Sequence, residues 1–247
     1  MSDQPKLLID VGNTQLKYTW FESTDLISDL QSTTIELESW PSLLAGKPQV
    51  LLCSVKSHDL TVAIVNQLKL AKLDYRIAET QAEAFGIQNS YQTVTNMGSD
   101  RWMAMLGADL LVNNDVLVVD AGTAITCDFI VNKQHLGGWI APGLGMLRRT
   151  VVSNTQRVFD FSDTKAQLSP GKDTANCVAN GAMAQIIGMI MQAAAIMQTH
   201  SAQFSIVLTG GDRNTIQNQL PENQLDIIVH NNLVLAGLAR LSLKNNI

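Results

Sequence analysis

One short pattern occurs twice in this chain, once near the start of each half: Asp10-Val11-Gly12-Asn13-Thr14 and Asp120-Ala121-Gly122-Thr123-Ala124. Each copy follows an apolar run, Leu7-Leu8-Ile9 or Val116-Leu117-Val118-Val119, and each leads into a segment rich in Thr, Val, Ile and aromatics. An apolar run, a Gly turn and an alternating segment read as strand, tight turn, strand. Each hairpin would then carry one carboxylate and a Thr hydroxyl at its tip. A single Asp-x-Gly says little. Two in equivalent contexts predict a duplicated architecture, with tips facing each other across a cleft to grip a metal-bound nucleotide phosphate.

The rest of the pattern repeats in the same order. In the first half, strands are expected at Lys6–Asp10, Gln15–Phe21, Thr33–Leu37, Val50–Val55 and Tyr75–Ala78. A helix follows Ser57 as candidate N-cap, and another covers Ser99–Leu111. Asn113-Asn114-Asp115 breaks the pattern and sets the expected boundary between domains 1–115 and 116–247. The second half gives strands at Val116–Asp120, Thr123–Val131, Leu136–Ile140, Phe204–Thr209 and Leu225–His230. Its helices are expected at Leu144–Val152, Asn176–Gln198 and Leu233–Leu243. The expected class is α/β, with a mixed central sheet in each half flanked by helices.

Composition narrows the function classes. The chain has 247 residues, 46% hydrophobic and 16% charged, enough for one large domain or two of ordinary size with a sizeable core. Its net charge of -5, with no Lys/Arg cluster, argues against nucleic acid. An anionic nucleotide must therefore be met locally, by backbone N–H groups, a few cations and metal ions. Three cysteines without Cys-x-x-Cys spacing and four scattered histidines argue against a disulfide framework or a zinc site. No leader is visible before the first strand, and the apolar stretch Ala182–Met197, broken by Gln185 and Gln192, reads as a buried helix rather than a membrane span.

Several motifs could carry chemistry, and each has a plainer reading. In Asp10–Lys17 the turn glycine lets backbone N–H groups approach a phosphate, Asp10 can hold Mg²⁺ and Lys17 can reach a β- or γ-phosphate. The plainer reading is an ordinary hairpin. In Asp120–Thr126, Thr123 and Thr126 offer hydroxyls and Asp120 a second carboxylate. Gly98-Ser99-Asp100-Arg101 opens a helix, whose free N–H groups and dipole suit an ionised carboxylate. The plainer reading makes Ser99 or Asp100 an N-cap and Arg101 a solvated charge. The glycines of Gly137–Gly145 form an expected tight loop without dinucleotide spacing, and Gly171-Lys172-Asp173-Thr174 fails as a P-loop while keeping Thr174 as a hydroxyl donor. Thr209-Gly210-Gly211-Asp212 ends a buried strand and leaves room for a flat adenosine.

The ordered set DVGNTQLK, Tyr91, GSDRW, DAGTAIT, GGWIAPG, GKDT and TGGD resembles the type III pantothenate kinases, from Leu8 to about Gly237. The resemblance implies the acetate and sugar kinase/Hsp70/actin superfamily, with two ribonuclease-H-like domains around a cleft. It implies a cytoplasmic bacterial homodimer that phosphorylates pantothenate with ATP, the first step toward coenzyme A, using Mg²⁺ and a monovalent cation, K⁺ or NH₄⁺. Carried over by motif, Asp10, Val11, Gly12, Asn13, Thr14, Gln15, Leu16 and Lys17 form the first phosphate-binding loop. Asp100 matches the catalytic base. Gly98, Ser99, Asp100 and Arg101 match the pantothenate-binding segment, with Tyr91 and Thr174 as further substrate contacts. Asp120 matches the monovalent-cation ligand and Thr123 an ATP contact. The family often has a Pro between the Tyr and the GxDR motif; Gln92–Met97 has none, so a looser loop is expected here. Two alternatives stay open: a related kinase of another small hydroxy acid, and a non-catalytic nucleotide-binding regulator.

Overall fold

The computed structural model describes residues 5–12, 16–22, 27, 30–36, 38–54, 58–154, 164–221 and 225–244. It divides into two compact units. One runs through Asn113 and takes the C-terminal segment from Asn231; the other spans Asn114–His230.

In the first unit, Lys6–Val11 (β1) and Leu16–Phe21 (β2) pair antiparallel, and Thr33–Ile35 (β3) adds antiparallel to β2. Gln49–Ser54 (β4) lies parallel to β1, and Tyr75–Ile77 (β5) parallel to β4. The order is β3-β2-β1-β4-β5. The strand period of two separates the faces of β1. Leu7, Ile9 and Val11 enter a core with Trp40, Val50, Leu52, Ile64 and Leu68, the last two from the helix His58–Leu70 (α1). Positions 6, 8 and 10 point the other way. On that side pack Ser99–Ala108 (α2) and Leu233–Lys244 (α6). Lys6 Nζ donates to the Ser242 carbonyl of α6 at 3.1 Å. Glu83–Ala84 (β6) and Ile87–Gln88 (β7) form a small hairpin that the sequence pattern did not announce, turned by Phe85 and Gly86 with φ of 53° and 84°.

The second unit repeats the plan. Asp115–Ala121 (β8), Ala124–Val131 (β9) and Gln134–Pro142 (β10) form an antiparallel meander. Phe204–Thr209 (β11) runs parallel to β8, and Ile227–Val229 (β12) parallel to β11. The order β10-β9-β8-β11-β12 matches the first unit strand for strand and sense for sense. The expected pair of mixed sheets is present. The helices are Leu144–Ser153 (α3), Thr174–His200 (α4) and Arg213–Gln217 (α5). α4 is long and apolar enough to cross a membrane by composition, but Ala182, Met183, Ile186, Ile187, Ile190, Ala193, Ala194 and Met197 fill the core of this unit. That matches a core helix, as its sequence suggested.

Two features differ from the sequence reading. The segment 137–145 is not a glycine loop: β10 continues through Pro142, and only Gly143 separates it from α3. The extended backbone wins because every residue of 137–142 has a partner on β9. The second difference is the C-terminal helix. A plain cut placed 116–247 in one domain, whereas α6 belongs with the first unit. Glycines decide this. A Cβ on Gly237 would overlap the Met103 carbonyl of α2, and one on Gly107 would overlap the Leu233 carbonyl of α6. Two helices with glycines at the crossing approach until backbones touch, which maximises dispersion contact. Arg240 adds bonds of 2.9 Å to Leu106 O and to the buried Asp109 carboxylate.

Candidate active site

Asp10 is the next-to-last residue of β1, directly opposite Lys17 on β2 and beside Cys53 on β4. Asn13, Thr14 and Gln15 of the tip lie outside the described residues; Val11 and Leu16 pair at its base and are buried, and Gly12 comes next after Val11. The Asp10 carboxylate is half-buried. Its Oδ2 accepts a 3.1 Å bond from Asn232 Nδ2. Burial pushes its pKa up to about 6, opposed by the Asn232 bond and the Lys17 charge and pushed further by Asp100. That places Asp10 within electrostatic reach of both Lys17 and Asp100.

Asp100 sits in the first turn of α2. The plainer sequence reading fails here. Gly98 is the N-cap and offers no side chain, and Asp100 Oδ1 instead accepts the N–H of Arg101 at 2.8 Å. A Cβ at position 98 would stand 2.5 Å from Asp100 Oδ1, so glycine makes room for this carboxylate. Ser99 does not cap either. It donates to the Ser54 carbonyl at 3.4 Å and accepts from Cys53 Sγ at 3.3 Å, tying the helix start to the end of β4. Burial pushes the Cys53 thiol well above its usual range, so it stays protonated as a donor.

Arg101 is not a solvated charge: it is 6% exposed, and its Nη1 donates to Tyr91 Oη at 2.8 Å. The guanidinium carbon stands 5.8 Å from the Tyr91 ring centre. The Tyr91 loop has no proline in Gln92–Met97, where a looser loop was expected, but it is braced in another way. Asn89 accepts the Tyr91 N–H at 2.9 Å and donates to Gln81 O at 3.3 Å, while Thr80 Oγ1 donates to Met97 O at 2.8 Å. Side-chain bonds to backbone replace the ring as the source of stiffness.

In the second unit, Asp120 faces Thr126 on β9 and Thr209 on β11. The turn at Gly122 and Thr123 is closed by a 3.0 Å bond from Gly122 N–H to Ala124 O, and Gly143 N–H reaches Thr123 O at 3.0 Å. Gly210 has φ of +95°, and a Cβ there would overlap Ala121 O and stand 2.6 Å from Asp120 Oδ1. The Asp120 carboxylate therefore lies against bare backbone. Beyond it, Asp212 N–H donates to Ala121 O at 3.0 Å; burial raises the Asp212 pKa, and Arg148 opposes this. Thr123 and Thr174 are exposed, and Thr174 opens α4 behind Asp173, which caps the helix by accepting the Asn176 N–H at 2.8 Å.

The structure thus sets Asp10 opposite Lys17 and within electrostatic reach of Asp100, and pairs Arg101 with Tyr91, all within the first unit. Asp120, Thr123 and Thr174 belong to the second. Sequence reasoning missed Asn232, Cys53 and Asn89. Asn231-Asn232 before an apolar helical run was a readable capping signal for Asn232, although nothing in it pointed to Asp10. Among the described residues no three His, Cys, Asp or Glu side chains cluster as a metal cage. A lone half-buried carboxylate beside a lysine fits a Mg²⁺ that arrives on a nucleotide and keeps most of its ligands there.

A family profile described as type III pantothenate kinase matches residues 6–195. The curated type III pantothenate kinase of Pseudoalteromonas atlantica is 30% identical, covering 96% of this chain and 98% of its own length. That of Pseudoalteromonas translucida is 34% identical, covering 94% of each. Among solved structures, a Campylobacter jejuni protein assigned to the Baf family of transcriptional activators superposes with TM-score 0.66 at 22% identity, over 97% of this chain and 98% of that one. At that identity it speaks for the fold alone. Profile, full-length relatives and the placed GSDR helix agree: this chain belongs to the type III pantothenate kinase family.

Proposed function

We propose that this protein transfers the γ-phosphoryl group of ATP to the primary hydroxyl of pantothenate, giving 4′-phosphopantothenate at the head of coenzyme A synthesis. The observation that carries the reading is the Asp100 carboxylate, at a helix start where a glycine leaves it space, in the electrostatic neighbourhood of Asp10, which faces Lys17.

Each residue then has one task. Asp100 accepts the hydroxyl proton as the acceptor oxygen attacks phosphorus in line. A carboxylate is a weak base for an alcohol, and it suffices because the transition state is loose and the proton leaves late. Lys17 meets phosphate charge, and the backbone of the 10–17 hairpin supplies N–H groups. Mg²⁺ carried by ATP would be held by Asp10, where it would neutralise phosphate oxygens. Arg101, fixed by Tyr91, supplies the fork for pantothenate's carboxylate, and Gly98, Ser99 and Thr174 complete the substrate contacts. Asp120 holds a monovalent cation, K⁺ or NH₄⁺, and Thr123 touches ATP. The buried Arg101 favours an acidic acceptor over a neutral sugar, and the retained base favours an enzyme over a regulator. By its likeness to the family, the protein works as a homodimer in the bacterial cytoplasm, without membrane or nucleic-acid partners.

The test is formation of 4′-phosphopantothenate by purified protein, dependent on ATP, Mg²⁺ and K⁺. Other hydroxy acids serve as competing acceptors. ATP turnover with another acid and none with pantothenate would replace the substrate. ATP binding without turnover on any acceptor would replace the enzyme with a regulator.

A further inference from the structure

We infer that Asn232 is a positioning residue for the phosphate hairpin, holding the Asp10 carboxylate in the orientation in which it meets the nucleotide's cation. The inference rests on the reading of Asp10 given above.

Asn232 is 6% exposed and stands immediately before α6. Both ends of its amide are used. Oδ1 accepts the Leu235 N–H at 2.9 Å, the bond of a helix N-cap. Nδ2 donates to Asp10 Oδ2 at 3.1 Å, across 222 positions of sequence. The cap fixes the amide's orientation, since only the oxygen can accept from Leu235; the donor end must then face Asp10. Ser or Asp would cap the helix as well as Asn does. Neither would serve Asp10: a serine hydroxyl is too short to span both partners, and an aspartate would oppose it with like charge. Asn alone among the good capping residues does both.

The donor is also firmly seated. α6 meets α2 backbone to backbone at Gly237 and Gly107, and Lys6 of β1 bonds to Ser242 near its other end. Helix α2 carries Asp100. One helix therefore sets Asp10, through its cap residue, in register with the helix that bears the base.

Calorimetric titration of the full chain with ATP, in Mg²⁺ and in EDTA, separates this role from capping. Wild type, Asn232→Ser, Asn232→Ala and Asp10→Asn are compared, with thermal unfolding of each. Asn232→Ser keeps a capping oxygen and loses the reach to Asp10. It should unfold near the wild-type temperature yet bind Mg·ATP about tenfold more weakly, as for loss of one bond to a charged group. Its ATP affinity in EDTA and its KM for pantothenate should stay unchanged, while its KM for Mg·ATP rises. Asn232→Ala should show the same binding loss and a lower unfolding temperature. Wild-type Mg·ATP affinity in Asn232→Ser overturns the inference, and so does equal weakening with and without Mg²⁺. An unaltered Mg·ATP affinity in Asp10→Asn would instead remove the reading of Asp10 on which the inference stands.

Discussion

The two hairpins share register and sheet position but not surroundings. Asp10 and Asp120 occupy the same place in their strands, next to last before the turn. Asp10 faces a lysine and accepts from a buried amide on a helix that returns from the far end of the chain. Asp120 faces threonines and lies against the backbone of Gly210. Duplication supplied two equivalent carboxylates; the helices and loops around them made one a charged, cation-paired site and the other a hydroxyl-rich one with open backbone. The proposed division, Mg²⁺ and phosphate at the first hairpin and a monovalent cation at the second, draws on that contrast.

The largest expected effect lies beside the first hairpin. Asp100→Asn keeps shape and removes the base, so kcat should fall about a hundredfold or more. Near-normal turnover under steady-state assay would strip Asp100 of its role and leave the first unit without its chemical advantage over the second.

Asp10→Asn should separate stability from function. The folded pKa of Asp10 is about 6, above the unfolded value near 4. The folded state therefore holds the proton more tightly, and the cost of an ionised Asp10 grows as pH rises from about 4 to 6 and is full above that. Replacing it with Asn should stabilise the Mg²⁺-free protein by up to about 3 kcal/mol at pH 7, and by almost nothing below pH 4. Mg·ATP binding should weaken at the same time. Denaturant unfolding across pH checks this; a variant less stable than wild type at pH 7 would mean that burial does not strain this carboxylate.

Gly210→Ala probes the second hairpin in the opposite sense. A side chain at φ of +95° that also meets Ala121 O and Asp120 should cost about 2 kcal/mol. Its midpoint in urea should fall. An unchanged midpoint would show that Asp120 does not depend on bare backbone for its place.

Asp120→Asn is the smallest and sharpest comparison. It should raise the K⁺ concentration for half-activation several-fold and leave the Mg²⁺ requirement nearly untouched. Were it to reproduce the Mg·ATP loss of Asp10→Asn, the hairpins would not be specialised, and the contrast drawn here would collapse.

Much of this was legible in the residues. Apolar runs, period-two alternation and turn glycines located the paired hairpins, and Phe204–Thr209 matched its expected strand to the residue. These are local properties, set by backbone sterics and the hydrophobic period, so sequence carries them directly. The GSDR helix was also placed by pattern, and its order among the other motifs carried the family likeness. What failed was anything that depended on who lies opposite. The plainer reading of Arg101, a solvated charge, failed because its Tyr91 partner is ten residues away in a loop. The C-terminal helix read as part of the second half because chain order is blind to the glycine crossing at Gly107 and Gly237. Asn232 was missed, and its local sequence signals only a cap. Local sequence fixes which conformations a segment prefers; the burial of Asp10, its raised pKa and its amide partner arise only when segments more than two hundred positions apart are desolvated against one another, and no window along the chain contains that event.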